Sequence, residues 1–176
     1  MPWLLIRRAG AFILDIFLLF LVLAPVGQLI RLAVGWPTTS PTGQELWLAA
    51  VLNFSLPTWT YFVWSDSSAP GATVGKRLLG LHVAGIAGAR IGTAKALART
   101  AVKLLPWETV HLSAFALAGL EPEQVIGLTI ANGLAVVYLV VAMCTGGRRS
   151  VHDYVAATEV CPVPRVTKSP QPPGPA

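Results

Sequence analysis

The sequence predicts an all-α integral membrane protein with four transmembrane helices and a small cytoplasmic cap. The first reason is composition: 54% of the 176 residues are hydrophobic and 12% are charged, whereas a soluble domain is about one quarter charged. The second is four apolar runs that approach the about 20 residues needed to cross a bilayer as a helix. The third is that Lys and Arg lie between these runs, an arrangement that favours contact with anionic lipid over nucleic acid.

The apolar runs place the spans within a transmembrane domain, residues 1–161. The predicted spans cover residues 9–32, 46–64, 100–120 and 125–145. The first is predicted to be a retained helix and not a cleaved signal peptide, because Asp15 interrupts its apolar run and no small-residue cleavage site follows. Residues 162–176 hold six prolines and few hydrophobic residues, a composition that predicts disorder.

The polar stretch between the second and third spans, residues 65–99, is predicted to be a cytoplasmic loop. Rough alternation of apolar residues from Leu81 to Ile91 predicts a short β-hairpin there. We expect this hairpin to form the cap together with Thr158 to Val163. Thr93 is a candidate N-cap for the following helix.

The basic residues predict the orientation in the cell membrane. Of the 13 Lys and Arg, only Arg31 falls near the side opposite the other twelve. The positive-inside rule then places both termini and the central loop in the cytoplasm. The third span is the least apolar, but if it failed to cross, the fourth would carry Arg148 and Arg149 outside.

Asp15 is a carboxylate about two turns inside the first span, where an unpaired charge is costly. It is either an ion or proton site or one half of a buried pair that locks two helices together. Arg8 shares its face but lies roughly 10 Å away along the axis. Arg99 and Lys103, which with Lys95 form a basic stripe at four-residue spacing, are therefore the better candidate partners.

Polar residues in the other spans offer further candidates. Glu108 and His111 are spaced i, i+3, so they share a face and either relay protons or satisfy each other by hydrogen bonding. Asn53 and Asn132 are single polar residues in their spans, and we expect each to bond to a neighbouring helix.

The segment Gly71 to Arg77 is similar to a phosphate-binding loop but does not meet two requirements of that motif. The spacing between its glycines is one residue short, and Arg77 replaces the Ser or Thr that would bind magnesium. The glycines instead predict a tight turn that brings backbone close to a neighbour. Lys76 and Arg77 are then expected to meet lipid phosphates or a carboxylate.

The pair His152-Asp153 does not indicate an enzyme. No G-x-S-x-G nucleophile motif, H-E-x-x-H motif or cysteine cluster accompanies it. The sequence therefore predicts a protein that is not an enzyme and holds no metal or cofactor. Asp153 is expected to tie the C-terminal segment to the central loop by an ion pair. Its candidate partners are Lys76, Arg77, Arg99 and Arg149.

Three motifs, in order along the chain, resemble those of the RDD family of bacterial membrane proteins. They are Arg8 with Asp15, then Gly71-x-Thr73-x-Gly75-Lys76-Arg77-Leu78-Leu79-Gly80-Leu81, then Arg148-Arg149-x-x-His152-Asp153. The family is named for one arginine and two aspartates, and the resemblance carries these onto Arg8, Asp15 and Asp153. It departs from the family at Ala157, where glycine is usual, and in the segment 106–124, which adds a span to a common three-span core.

The resemblance implies two classes of function. Some members are proposed to exchange sodium or other monovalent cations for protons. An ion path here would run through Asp15, Arg99, Lys103, Glu108 and His111. Other members act as accessory or regulatory partners of membrane proteases and transport systems. The expected partners are anionic lipids and either a second copy of the chain or another membrane protein, without nucleic acid.

Overall fold

The computed structural model describes residues 2–35 and 41–163, and this part of the chain is mostly helical. Its elements in chain order are α1 (Pro2–Ala33), α2 (Gly43–Ala50), α3 (Leu56–Ser67), α4 (Val74–Leu78), β1 (Leu81–Gly85), α5 (Thr93–His111), α6 (Glu123–Cys144), α7 (Val151–Val155) and β2 (Thr158–Pro162). Single π-helical turns, Val51–Ser55 and Leu112–Ala116, join α2 to α3 and extend α5.

Three helical stretches in the described part are long and apolar enough to cross a membrane. They are Trp3–Ala33, Gly43–Ser67 and Glu123–Cys144, and they match the first, second and fourth predicted spans. The third predicted span falls on α5 and its π turn, which do not qualify. The reason is its charge, because Lys95, Arg99, Lys103 and Glu108 all lie on this helix.

The π turn between α2 and α3 accommodates a proline inside the second apolar stretch. Pro57 has no N–H to donate and its ring crowds the preceding turn. The wider turn over Val51–Ser55 lies immediately before it, a common way for a helix to absorb such a residue. Ser55, the last residue of the turn, is thereby buried against α5.

The predicted hairpin is wrong, although its first strand is present. β1 pairs antiparallel with β2, so that Leu81 lies opposite Pro162 and Gly85 opposite Thr158. After β1 the chain turns through Gly88 and leads directly to α5 without forming a second strand. The expected union of this region with residues 158–163 in one cap is confirmed.

The sheet covers a small apolar core at the starts of α1 and α5. Leu81 and Val160 are fully buried in this core, and Val83, which lies opposite Val160 in the sheet, is buried too. The buried members of the core are Leu4, Ala11, Leu81, Val83, Ile91, Ala96 and Val160. Burial of these side chains holds the sheet against the helices.

Smaller details also differ from expectation. Gly92, and not Thr93, is the N-cap residue of α5. Asn53 and Asn132 donate to Ala49 and Leu128, one turn back in their own helices, and not to neighbouring helices. Of the tail predicted to be disordered, Pro162 belongs to β2, while 164–176 lie outside the described residues.

Candidate functional site

Asp15 binds the start of α4 through hydrogen bonds from neutral donors. The Thr73 hydroxyl donates to Asp15 Oδ2 at 2.6 Å, and the Gly75 backbone N–H donates to Oδ1 at 2.7 Å. The Tyr61 hydroxyl donates to the same Oδ1 at 2.7 Å and accepts from the Val74 N–H at 2.9 Å. Asp15 is buried. These donors leave it few free acceptor sites.

The prediction that Asp15 pairs with Arg99 or Lys103 is therefore wrong. In the described residues Asp15 forms no ion pair within 4.0 Å. The physical reason is that α4 docks on α1, where Thr73 and Gly75 supply hydrogen-bond donors to Asp15 at short range. Sequence periodicity along α1 and α5 could not show that a five-residue helix would dock there.

The glycines of the central motif permit this docking, as predicted. A Cβ atom on Gly75 would lie 2.2 Å from the carbonyl oxygen of Ala11, so only glycine lets α4 reach α1. Gly71 has φ +59, a left-handed conformation that glycine adopts without strain. Its carbonyl accepts from the Val83 N–H at 2.7 Å, which ties the turn to β1. Gly80 adopts φ +59 beside Arg7.

Asp153 sits at the start of α7 and is fully buried. Its Oδ2 accepts from the Ser150 N–H at 2.8 Å in a capping box, and its Oδ1 accepts from the Thr158 hydroxyl at 3.2 Å. It also pairs with Arg8, and with Arg99 Nη2 at 3.0 Å. Arg99 was among the predicted partners. Burial alone would raise the pKa of the Asp153 carboxyl, but these cations hold the pKa below its ordinary value.

The other three predicted partners of Asp153 are wrong. Lys76 pairs with Asp66, the Arg77 guanidinium donates to the Ala72 carbonyl at 3.0 Å, and Arg149 lies over the Tyr154 ring at 3.9 Å. Arg8 takes their place because α1 begins beside α7. The Arg8 guanidinium also donates to the carbonyls of Gly147 and Arg148, each at 3.2 Å. Arg148 itself forms an exposed pair with Glu159 at 3.3 Å.

Asp66 is a buried carboxylate of this site that sequence reasoning missed. It lies in the last turn of α3, is fully buried, and pairs with Lys76. Arg99 Nη1 lies 3.7 Å from its Oδ2. The sequence signal was its position ten residues before Lys76, across a turn-rich segment that brings α3 and α4 together. Lys76 thus meets a carboxylate, one of the two outcomes predicted for it.

His152 packs beside Arg8 as a neutral ring. Burial lowers its pKa well below the ordinary value, and nearby Arg99 lowers the pKa further. Its Nε2 lies 2.7 Å from Arg8 Nη2, so a neutral ring accepts from the guanidinium there and carries its own proton on Nδ1. His152 therefore adds no positive charge to the cluster near pH 7.

The charged groups surround a cavity of about 210 Å³ at the end of the bundle where α1, α5, α6 and α7 meet. The charged side chains that line it are Arg8, Asp15, Lys76, Arg99 and Lys103, and His152 and Tyr138 add polar rings. The Lys103 ammonium lies over the Phe62 ring, 3.2 Å from its centroid, a cation–π contact. We call Arg8, Asp15, Asp66, Lys76, Arg99, Lys103, His152 and Asp153 the charge cluster.

Glu108 and His111 lie outside the charge cluster, and within the described residues they form no hydrogen bond with each other. Glu108 accepts from the Ser55 hydroxyl at 2.8 Å and from Trp59 Nε1 at 3.0 Å, so α3 and the π turn before it satisfy this carboxylate. The His111 ring meets Trp107 edge-on and stacks with Phe115, and its buried Nδ1 has no hydrogen-bond partner in the described part of the chain. The predicted hydrogen bond between Glu108 and His111 is wrong, because Ser55 and Trp59 supply closer donors to Glu108. The proton relay stays a prediction.

The three family motifs thus converge on one site. Arg8 pairs with Asp153, and Asp15 holds the glycine-rich segment at Gly75. The profile of the RDD family matches residues 4–157. No curated protein and no solved structure shows significant similarity to this chain. By the extent of the profile match and the convergence of its motifs, the chain belongs to the RDD family.

Proposed function

We propose that the chain is an integral protein of the cell membrane that crosses the bilayer four times, with both termini and residues 65–99 in the cytoplasm. Helix α5 with its π turn would be the third crossing, about 36 Å long at 1.5 Å per residue. Neighbours satisfy two of its polar groups: Trp59 of α3 and Ser55 of the preceding π turn donate to Glu108, and the Tyr138 hydroxyl of α6 donates to the Val102 carbonyl at 2.6 Å. Such partners make a polar helix tolerable in lipid.

Cysteine labelling tests this topology. Single cysteines at Thr42 and Gly119 are expected to react with an impermeant thiol reagent added to intact cells, and one at Ser68 is not. The native Cys144 and Cys161 are first replaced by alanine, because Cys144 is exposed. Permeabilised cells serve as the control that Ser68→Cys is reactive at all. Labelling of Ser68→Cys in intact cells would contradict the orientation.

We further propose that the protein is a non-enzymatic, membrane-embedded accessory or regulatory subunit, acting with a second copy or with another membrane protein. The observation that carries this is the state of the three aspartates of the charge cluster. Asp15 is occupied by three neutral donors, while Asp66 and Asp153 are each paired with two cations. A cation pathway needs carboxylate oxygens that are free to bind the ion.

Exchange of monovalent cations for protons is the second candidate, and one observation favours it. Asp15 lies inside a candidate membrane-spanning helix and lines the cavity. Against it, the same cavity is lined by four cationic side chains, Arg8, Lys76, Arg99 and Lys103, which repel sodium or potassium.

Asp15→Asn separates the two candidates. Under the accessory role, the amount of folded protein falls, because asparagine replaces one acceptor oxygen by an NH₂ group. Liposomes holding wild-type protein show no proton flux driven by sodium, potassium or lithium, and liposomes holding the variant show none either. The control is Glu123→Gln, which changes an exposed carboxylate at the start of α6. Cation-driven flux in the wild type that is lost per folded molecule in Asp15→Asn would establish exchange instead.

A further inference from the structure

The cavity of the charge cluster carries more positive than negative charge. Four cations line it, and the cluster holds three carboxylates. Within the described residues, Lys103 lies within 4.0 Å of no carboxylate, and neutral His152 does not change the balance. A half-buried ammonium group without a carboxylate partner is stabilised in its charged form when an anion binds beside it.

Arg99 adds unused donors to this excess charge. It is 1% exposed, yet its Nε and Nη1 have no hydrogen-bond partner in the part of the chain that the structure describes. In contrast, both terminal nitrogens of Arg8 already bond to two carbonyls, Asp153 and His152, and Lys76 is paired with Asp66. The donors available to a ligand are therefore those of Arg99 and Lys103, both on α5 and both lining the cavity. A guanidinium beside an ammonium suits the oxygens of a phosphate group.

A second, apolar cavity of about 370 Å³ adjoins the first along α1. It is lined by Phe12, Ile13, Ile16, Phe17, Phe20 and Trp107, and Phe12 lines both cavities. From Phe12 to Phe20 the helix rises about 12 Å. The cationic cavity at one end of α1 thus continues into an apolar groove. This groove is long enough to hold several methylene groups of an acyl chain.

We propose that the two cavities together bind one anionic phospholipid, with its phosphate at Arg99 and Lys103 and an acyl chain along the groove of α1. The proposal rests on the membrane location proposed above. Charge complementarity selects the anionic headgroup, and the adjoining groove selects a lipid over a free phosphate ion. The bound lipid would bridge α1 and α5 and neutralise the excess charge of the cluster.

The test uses the full chain, purified in a neutral detergent and freed of lipid. Phosphatidylglycerol, phosphatidylcholine and inorganic phosphate are added separately, and thermal unfolding and native mass spectrometry report binding. We expect one phosphatidylglycerol per chain and a rise in the unfolding temperature, with no comparable effect of the other two. Lys103→Gln is expected to require about tenfold more phosphatidylglycerol, a factor equivalent to about 1.4 kcal/mol. Lys103→Arg should keep wild-type binding.

Matched controls separate this site from general charge and from folding. Lys95→Gln removes the same charge from an exposed position on the same helix, outside the cavity, and is expected to bind as the wild type does. Where Lys103→Gln does not fold, Phe17→Ser tests the groove at a position that is 63% exposed, against Ile30→Ser, 52% exposed and outside the groove. Of these two variants, only Phe17→Ser should weaken phosphatidylglycerol binding.

Three results would overturn the lipid site. They are equal stabilisation by phosphatidylcholine, equal stabilisation by inorganic phosphate, which would mark a free-anion site, and unchanged binding in both Lys103→Gln and Phe17→Ser. None of them bears on the accessory role. Conversely, cation-driven flux in liposomes would overturn that role and leave the lipid measurement standing.

Discussion

Asp153→Asn is expected to remove most of the folded protein from the membrane. The substitution leaves Arg8 and Arg99 buried beside a neutral amide, although the carboxylate had paired with both. Breaking a buried ion pair by removing one partner costs about 3–5 kcal/mol, and a domain has only about 5–15 kcal/mol of stability in all. The measurement is the amount of monodisperse protein in detergent extracts. It is read from the fluorescence of a fused reporter during size-exclusion chromatography.

Glu159→Gln is the matched control for this prediction. Glu159 lies on β2 near Asp153, but its partner Arg148 is 63% exposed. An exposed pair contributes about 0–1 kcal/mol, so Glu159→Gln should accumulate at close to the wild-type level. Equal accumulation of Asp153→Asn and Glu159→Gln would contradict the structural role assigned to Asp153.

Gly75→Ala is expected to have the second large effect. The added methyl group would lie 2.2 Å from the Ala11 carbonyl oxygen and 2.9 Å from Asp15 Oδ1. Since the nearest atom is backbone, α4 must move away from α1, and Asp15 then loses the Gly75 and Thr73 donors. We expect a loss of at least about 1–3 kcal/mol from overpacking, with further loss from the unsatisfied carboxylate.

Gly133→Ala supplies the control for this substitution. Gly133 lies inside α6, where an added Cβ would meet no atom within 4 Å. Alanine there favours the helix, so the folded amount should be unchanged or higher. If Gly75→Ala accumulates as Gly133→Ala does, the close contact between α4 and α1 does not matter for folding.

Much of the helical architecture could be predicted from the sequence, because apolar runs are a local signal. Three of the four predicted spans coincide with helices long and apolar enough to cross a membrane. The hairpin could not be predicted, since β1 pairs with β2, more than 70 residues later in the chain. Local alternation near Leu81 indicates a strand but carries no information about its partner.

The sequence indicates several residues of the charge cluster, but it does not indicate which of them form ion pairs with each other. Arg8, Asp15 and Asp153 stand out as charged motif residues, and all three belong to it. The pairing depends on α4, which delivers Lys76 to Asp66 and its own first turn to Asp15. Asp66 was missed because a carboxylate beside Ser67 and Ser68 has the composition of an ordinary exposed turn.

A set of four proteins tests most directly whether the charge cluster joins the helices to the cap: the wild type, Arg8→Gln, Asp153→Asn and the double variant. The double variant removes one charge of each sign and keeps the wild-type balance of the cluster. Replacing both members of a buried pair costs less than removing one. The account predicts that the double variant accumulates more folded protein than Asp153→Asn alone. A double variant that accumulates less than either single variant, by the combined loss of both, would contradict it.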